Sequence, residues 1–178
     1  MINHWFFREK ILFSCNKCGE CCHEMDVPLS HVDIIKLLKN NIEAKDFIDL
    51  IISSENEPYS VFIYGEYVSL YLRNKDDDNA CIFLENNVCS VYETRPNSCR
   101  TWPFSRKKSK LLIDDYAGKV VEGFCDKKRV KNHKEIDLLI DEGIEEVSEY
   151  QNLINKWNNE FSNKKEEKTL DDFIKYIS

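Results

Sequence analysis

The chain has no apolar run approaching the roughly 20 residues that a membrane-spanning helix needs. Its first fourteen residues carry Arg8, Glu9 and Lys10 where a secretory leader requires an unbroken apolar stretch, so a cytoplasmic location and no membrane partner are expected. It also lacks a surplus of basic charge: 25 Lys and Arg stand against 32 Asp and Glu, a net charge of -7. Surfaces that attract nucleic acid or anionic lipid select excess Lys and Arg, so no nucleic-acid partner is expected beyond a local patch such as Arg106 to Lys110. A phosphate-binding P-loop, a G-x-G-x-x-G turn and a G-x-S-x-G elbow are all absent. The acidic run Asp76 to Asp78 lacks the spacing of a calcium-binding EF-hand, and no internal repeat is visible.

What is present is a chain of 178 residues, 42% of them hydrophobic and 12% aromatic, enough for one compact domain with a core of its own. It holds eight cysteines. A reducing cytoplasm leaves thiols free, and eight free thiols point to metal binding; the alternative is four disulfides in a secreted protein.

The hydrophobic pattern predicts short elements followed by one long one. Ile11 and Phe13 alternate with polar neighbours as a strand would, delivering the chain into a cysteine-bearing loop from Ser14 to His23. Ser30 and Asp33 make a capping box ahead of a helix over His31 to Lys39, and a second helix is expected from Ala44 to Ile52. Tyr59 to Leu72 reads as a β-hairpin turning at Gly65-Glu66, followed by a polar loop from Asn74 to Asn79. Glu85-Asn-Asn makes a tight connection that brings Cys81 and Cys89 together. Thr94 to Phe104, with Pro96 and Pro103, should be irregular, and Leu111 to Val121 is expected to fold back around Ala117-Gly118. From Lys134 to Phe161 apolar residues recur at alternating four- and three-residue steps, predicting one helix of about 40 Å at 1.5 Å per residue. Such a helix braces the body or pairs with another helix, which would include self-association. Asn163 to Lys168 reads as a solvated link, and Thr169 with Asp172 caps a final short helix.

The cysteines fall into a compact group, Cys15-x-x-Cys18-Gly19-x-Cys21-Cys22, and a dispersed one, Cys81, Cys89, Cys99 and Cys125. A C-x-x-C turn lets two thiolates converge on one metal, and Gly19 relieves the backbone there. Neighbouring side chains on an extended backbone point apart, so Cys21 and Cys22 are expected to serve different centres. One partition places Cys15, Cys18 and Cys21 with Cys99, and Cys22 with Cys81, Cys89 and Cys125. Four thiolates suit an iron–sulfur cluster or zinc; an all-thiolate set ringed by Phe83, Trp102 and Phe104 tips the reading toward iron–sulfur. Arg95 and Arg100 are candidate cofactor-binding cations that would offset thiolate charge, or else surface partners of Glu93 or Asp114. His23 is a candidate extra ligand or an ordinary loop residue, and His31 reads as structural. No catalytic residue is identified.

The stretch Phe13-x-Cys15-x-x-Cys18-Gly-x-Cys21-Cys22, then Cys81-x-Phe-Leu, Cys89-x-Val-Tyr92-x-x-Arg95-Pro96-x-x-Cys99-Arg100-x-Trp-Pro-Phe104 and Cys125 resembles the YkgJ-like cysteine-cluster family, the zinc- or iron-chelating domain of CxxCxxCC type. The resemblance covers residues 11–126 and leaves the long helix outside. It implies a cytoplasmic metal-binding protein with the eight matching cysteines as ligands. Flagellin lysine methylases carry a similar region, which implies an oxidoreductase or protein-modifying role, or a subunit of such an enzyme, although no methyl-donor motif is present.

The expected fold is a single α+β domain over residues 1–178: short β-hairpins and metal-holding loops at 11–126, two N-terminal helices, and a helical C-terminal extension at 134–178. Three functions fit it. A redox or metal-dependent iron–sulfur protein would be coloured and work with a protein or redox partner; a zinc-stabilised interaction module would be colourless and unfold with a strong chelator; a protein-modifying subunit would hold a stable partner.

Overall fold

The computed structural model describes residues 12–107, 110–113, 117, 126–129, 133–162, 164 and 167–178. Cys125 therefore lies outside the described residues, as does the turn expected at Gly118. In chain order the elements are β1 (Leu12–Ser14), α1 (Cys21–Glu24), α2 (His31–Leu38), α3 (Ala44–Phe47), β2 (Ile48–Ile52), β3 (Val61–Ile63), β4 (Glu66–Leu72), β5 (Leu84–Glu85), β6 (Val88–Cys89), a 3-10 turn (Tyr92–Thr94), α4 (Asn97–Thr101), β7 (Phe104–Lys107), β8 (Lys110–Ile113), β9 (Asp126–Arg129), α5 (His133–Phe161) and α6 (Leu170–Ile177). Helices and small antiparallel sheets with a long C-terminal helix make this an α+β fold.

One body is an apolar sandwich. Strands β2, β4 and β3 form an antiparallel sheet in that order, with Leu50 opposite Leu70 and Val61 opposite Val68. Tyr64 and Gly65 both take positive φ, 53° and 77°, giving the β3–β4 hairpin the turn that matches strand twist one residue earlier than expected. Val61, Ile63, Val68, Leu70 and Leu72 are buried, and α2, α5 and α6 supply Ile34, Leu37, Tyr150, Ile154, Trp157 and Phe173 to the same core. Burial of each large apolar side chain contributes about 1.5–3 kcal/mol, so this body carries most of the driving force for folding.

Helix α5 spans 29 residues and braces the molecule end to end. Near its C-terminus, Asn158 donates Nδ2 to Ser60 O (2.7 Å) and accepts from Phe62 N (2.8 Å), while Trp157 Nε1 donates to Phe62 O (2.8 Å). Two helical side chains thus satisfy the outer edge of β3, which would otherwise be an open template for pairing. Near its N-terminus, Arg106 of β7 bonds Asp137 (3.0 Å) and Asp141, and Asn97 of α4 donates to Leu139 O (3.3 Å).

The capping boxes at Ser30/Asp33 and Thr169/Asp172 form as expected. Three expectations change. The second helix stops at Phe47, because Ile48 to Ile52 pairs residue for residue with Val68 to Leu72, and tertiary pairing overrides local helix preference. The segment after Pro96 is helical over Asn97–Thr101, since a proline at a helix start removes only a donor that would be unpaired there. Leu111 to Ile113, expected to open a later hairpin, pairs backward with Phe104 to Arg106, while the fold-back expected around Gly118 lies outside the described residues.

Candidate metal centre

Four short segments bring the cysteines together. The first is the loop Cys15 to Glu20, in which Lys17 and Gly19 take φ of 59° and 83°. A Cβ at Gly19 would meet Leu84 Cδ1 at 3.2 Å and Asn87 O at 3.3 Å, so the loop packs backbone-to-turn against the β5–β6 hairpin. That hairpin turns on Asn86 and Asn87, both at positive φ, a conformation that asparagine tolerates. Cys22 N then bonds Gly19 O (2.8 Å), starting α1, and Cys81 N bonds Cys22 O (2.7 Å), stitching the two cysteine groups together through the backbone.

The remaining segment is α4. Asp33 caps α2 with one carboxylate oxygen and accepts the Asn97 N–H with the other (2.8 Å), so a single buried carboxylate ties the starts of α2 and α4 together. On the far side α4 meets Gly143 of α5, where an added Cβ would lie 2.5 Å from Asn97 Oδ1. This docking turns Cys99 toward the cysteines of the other segments.

Burial and neighbouring thiols act on four of the described cysteines. Burial, then the fields of Cys81, Cys21 and Cys89, push the Cys99 thiol well above the ordinary range, with Arg95 opposing. Burial likewise raises Cys81, with further contributions from Cys89 and Cys21, against the Phe83 backbone and Lys75. Cys89 is raised by burial and by Cys21, against the Val91 backbone and Arg95. Cys21 is raised chiefly by its hydrogen bond with Cys22, then by burial and the Cys22 charge, with Arg95 again opposing. Neighbouring thiols thus disfavour the thiolate form at Cys21, Cys81, Cys89 and Cys99, and burial adds to this in keeping the thiols protonated. Cys81, Cys89 and Cys99 pack against the apolar core, and Phe83 and Phe104 are buried nearby in sequence.

Cys15 is exposed, and Cys18 and Cys22 are half-buried, as are Cys21, Cys81, Cys89 and Cys99. Cys21 and Cys22 open the helix α1, so the extended-backbone argument that set them on different centres does not apply to them. No disulfide joins the seven described cysteines. Among the described residues, no three His, Cys, Asp or Glu side chains are gathered at coordination spacing.

Arg95 lies 3.7 Å from the Tyr92 ring centroid and donates Nε to Tyr92 O (2.8 Å), which fixes a cation whose field reaches three of the four thiols. Arg100 is set apart, on the rim of a surface hollow. Neither arginine pairs with Glu93 among the described residues, and Asp114 lies outside them. Lys75 is a cation that the sequence did not single out. It donates Nζ to Leu84 O (2.5 Å) and its charge acts on Cys81. An isolated bridge between Asn74 and Cys81, which no sequence pattern announces, brings Lys75 there. His23 sits half-buried on α1, and His31 is buried against Tyr150, ring centroids 5.8 Å apart.

Compared with protein-family models, residues 14–168 match the CxxCxxCC family, described as "Putative zinc- or iron-chelating domain". The chain belongs to this family. The match takes in α5, so the long helix is part of the family's domain rather than an addition outside it. Its thiol-rich chemistry is that of a metal-binding domain. No curated protein and no solved structure was found to match. No described helix is long and apolar enough to cross a membrane.

Proposed function

We propose that Cys21, Cys81, Cys89 and Cys99 hold one metal centre, an iron–sulfur cluster, and that Cys15, Cys18 and Cys22 form an outer set available to a second metal. The observation that carries this reading is the mutual field of the four inner thiols, drawn from three separate segments and offset by Arg95 and Lys75. The donor set fits: four soft sulfurs suit iron–sulfur clusters or zinc, and the inner thiols are partly withdrawn from water. When bound, an iron–sulfur cluster supplies one-electron chemistry.

The chain's own residues set the terms. Each thiol must release its proton to ligate, and Arg95, Lys75 and the backbone at Phe83 and Val91 favour the anionic form. Cys22, hydrogen-bonded with Cys21 at the edge of the group, lies between the inner and outer sets.

The test is iron, zinc and acid-labile sulfide content with a visible spectrum, on protein purified without oxygen. Iron with matching sulfide and broad absorption near about 400 nm is expected of a thiolate-bound cluster. Zinc without sulfide would overturn the iron–sulfur assignment and leave a zinc-stabilised module, and protein with neither metal would overturn both.

A further inference from the structure

Beside the thiols, on the outer surface, is a hollow of about 430 Å³ lined by Lys36, Lys39, Tyr92, Glu93, Thr94, Arg95 and Arg100. Its cations come from the C-terminal end of α2 (Lys36 and its cap Lys39), from Arg95 ahead of α4, and from Arg100 within α4. Asn40 locks these walls together, donating Nδ2 to Leu37 O (3.0 Å) and to Thr94 Oγ1 (2.9 Å). Thr94 in turn bonds back to Val91 O (3.4 Å). The hollow is therefore framed by fixed backbone, not by loose side chains alone.

Its charge is opposite to that of the molecule. Four cations line it, and two carboxylates answer them: Glu93 on the wall, and Glu146, which bonds Lys36 at 3.3 Å. Two positive charges are left over in a protein whose net charge is -7. Among the described residues Lys39 and Arg100 have no carboxylate within ion-pair distance. Arg95 stacks on the Tyr92 ring and donates Nε to Tyr92 O, and its terminal nitrogens present a fork of the kind that matches an oxyanion.

We propose that this hollow binds a phosphoryl oxyanion, with Lys39 and Arg100 as its principal contacts and Arg95 as the inner wall. A phosphate monoester carries about -1.5 to -2 charge near neutral pH, which matches the two uncompensated cations. A single carboxylate would leave one of them unanswered. The site does not depend on which metal the thiols hold.

Titration calorimetry on the full-length protein tests it with inorganic phosphate, phenyl phosphate and citrate as probes. Saturable binding of one phosphoryl anion per chain is expected, weakened at least about tenfold by Lys39→Gln or Arg100→Gln, since a hydrogen bond to a charged group is worth 1.5–3 kcal/mol and 1.4 kcal/mol is tenfold. Lys107→Gln, an exposed cation on β7, should change nothing. Tighter binding of phenyl phosphate than of free phosphate would point to the phosphoryl group of a small metabolite, and the reverse to free phosphate; either supports the site. No saturable binding, equal weakening by Lys107→Gln, or citrate tighter than both phosphates would overturn it. Should the variants fold poorly, amide exchange on the unaltered protein decides, with phosphate-dependent protection at residues 36–40 and 92–95 expected and its absence contradicting the proposal.

Discussion

The two ends of α5 rest on bodies built by different physics. Its C-terminal part closes an apolar core in which Trp157, Phe173, Ile154 and Phe47 are almost wholly buried. Its N-terminal part rests on α4 and β7, beside segments of two to five residues that bring together half-buried thiols whose anionic form burial disfavours. The first body needs nothing beyond its own side chains. The second is positioned by the first, through Asp33, Gly143 and Arg106, and is left with a charge problem that a metal resolves. A rigid apolar frame thus carries short segments whose thiols lie near one another without standing at coordination spacing.

The comparison breaks most severely at Trp157. Trp157→Ala removes a side chain packed on Phe161, Phe173 and Tyr176 and a bond to the β3 edge, and should cost about 3–5 kcal/mol. Chemical denaturation of the metal-free and metal-loaded protein should show the same loss in both, because the frame does not depend on the metal.

Asp33→Ala acts on both bodies. It removes the carboxylate half of the α2 capping box, leaving the Ser30 N–H without its partner, and orphans the Asn97 N–H, so a loss of about 2–3 kcal/mol is expected by denaturation. Weaker metal retention in a chelator competition should accompany it, since α4 carries Cys99.

Within the cysteine-bearing body, metal-free stability and metal affinity should respond oppositely to pH. The inner thiols are raised, so without metal they keep their protons in the folded state while the unfolded chain gives them up. That contribution is whole below the ordinary thiol range near about 8.5 and is lost as pH climbs through the higher folded values. Metal ligation runs the other way: every thiol deprotonated on binding makes affinity rise about tenfold per pH unit. Zinc competition titrations between about pH 6.5 and 8, with proton release followed in weak buffer, measure the slope.

Gly19→Ala is the smallest probe. A residue with a Cβ at φ 83° is strained by about 1–2 kcal/mol, and the added atom presses on the β5–β6 turn. Amide exchange should quicken around residues 15–22 and 84–89 and leave β2, β3 and β4 unchanged.

How far this was legible in the sequence follows the same division. Helices with strong periodicity and caps, α2, α5 and α6, can be read directly, because Ser30/Asp33 and Thr169/Asp172 declare their own starts. So can the hairpins at Gly65 and Asn86-Asn87, where the turn chemistry is local. The switch from α3 to β2 cannot, since Ile48 to Ile52 becomes a strand only through pairing with β4. The cysteines announced a metal site by number and type, yet their grouping depends on the helical turn at Cys21 and on the Asp33 and Gly143 contacts that aim α4. Lys75 and the basic hollow were hidden for the same reason: their cations are scattered along the chain and meet only in three dimensions.

The central claim is that Cys21, Cys81, Cys89 and Cys99 share one centre, and metal content of single cysteine-to-serine variants tests it most directly. Cys81→Ser, Cys89→Ser and Cys99→Ser should each lose the same metal equivalent and the same spectral band, while Cys15→Ser keeps both. Loss of different equivalents by Cys81→Ser and Cys99→Ser, or retention of full metal by either, would contradict the account.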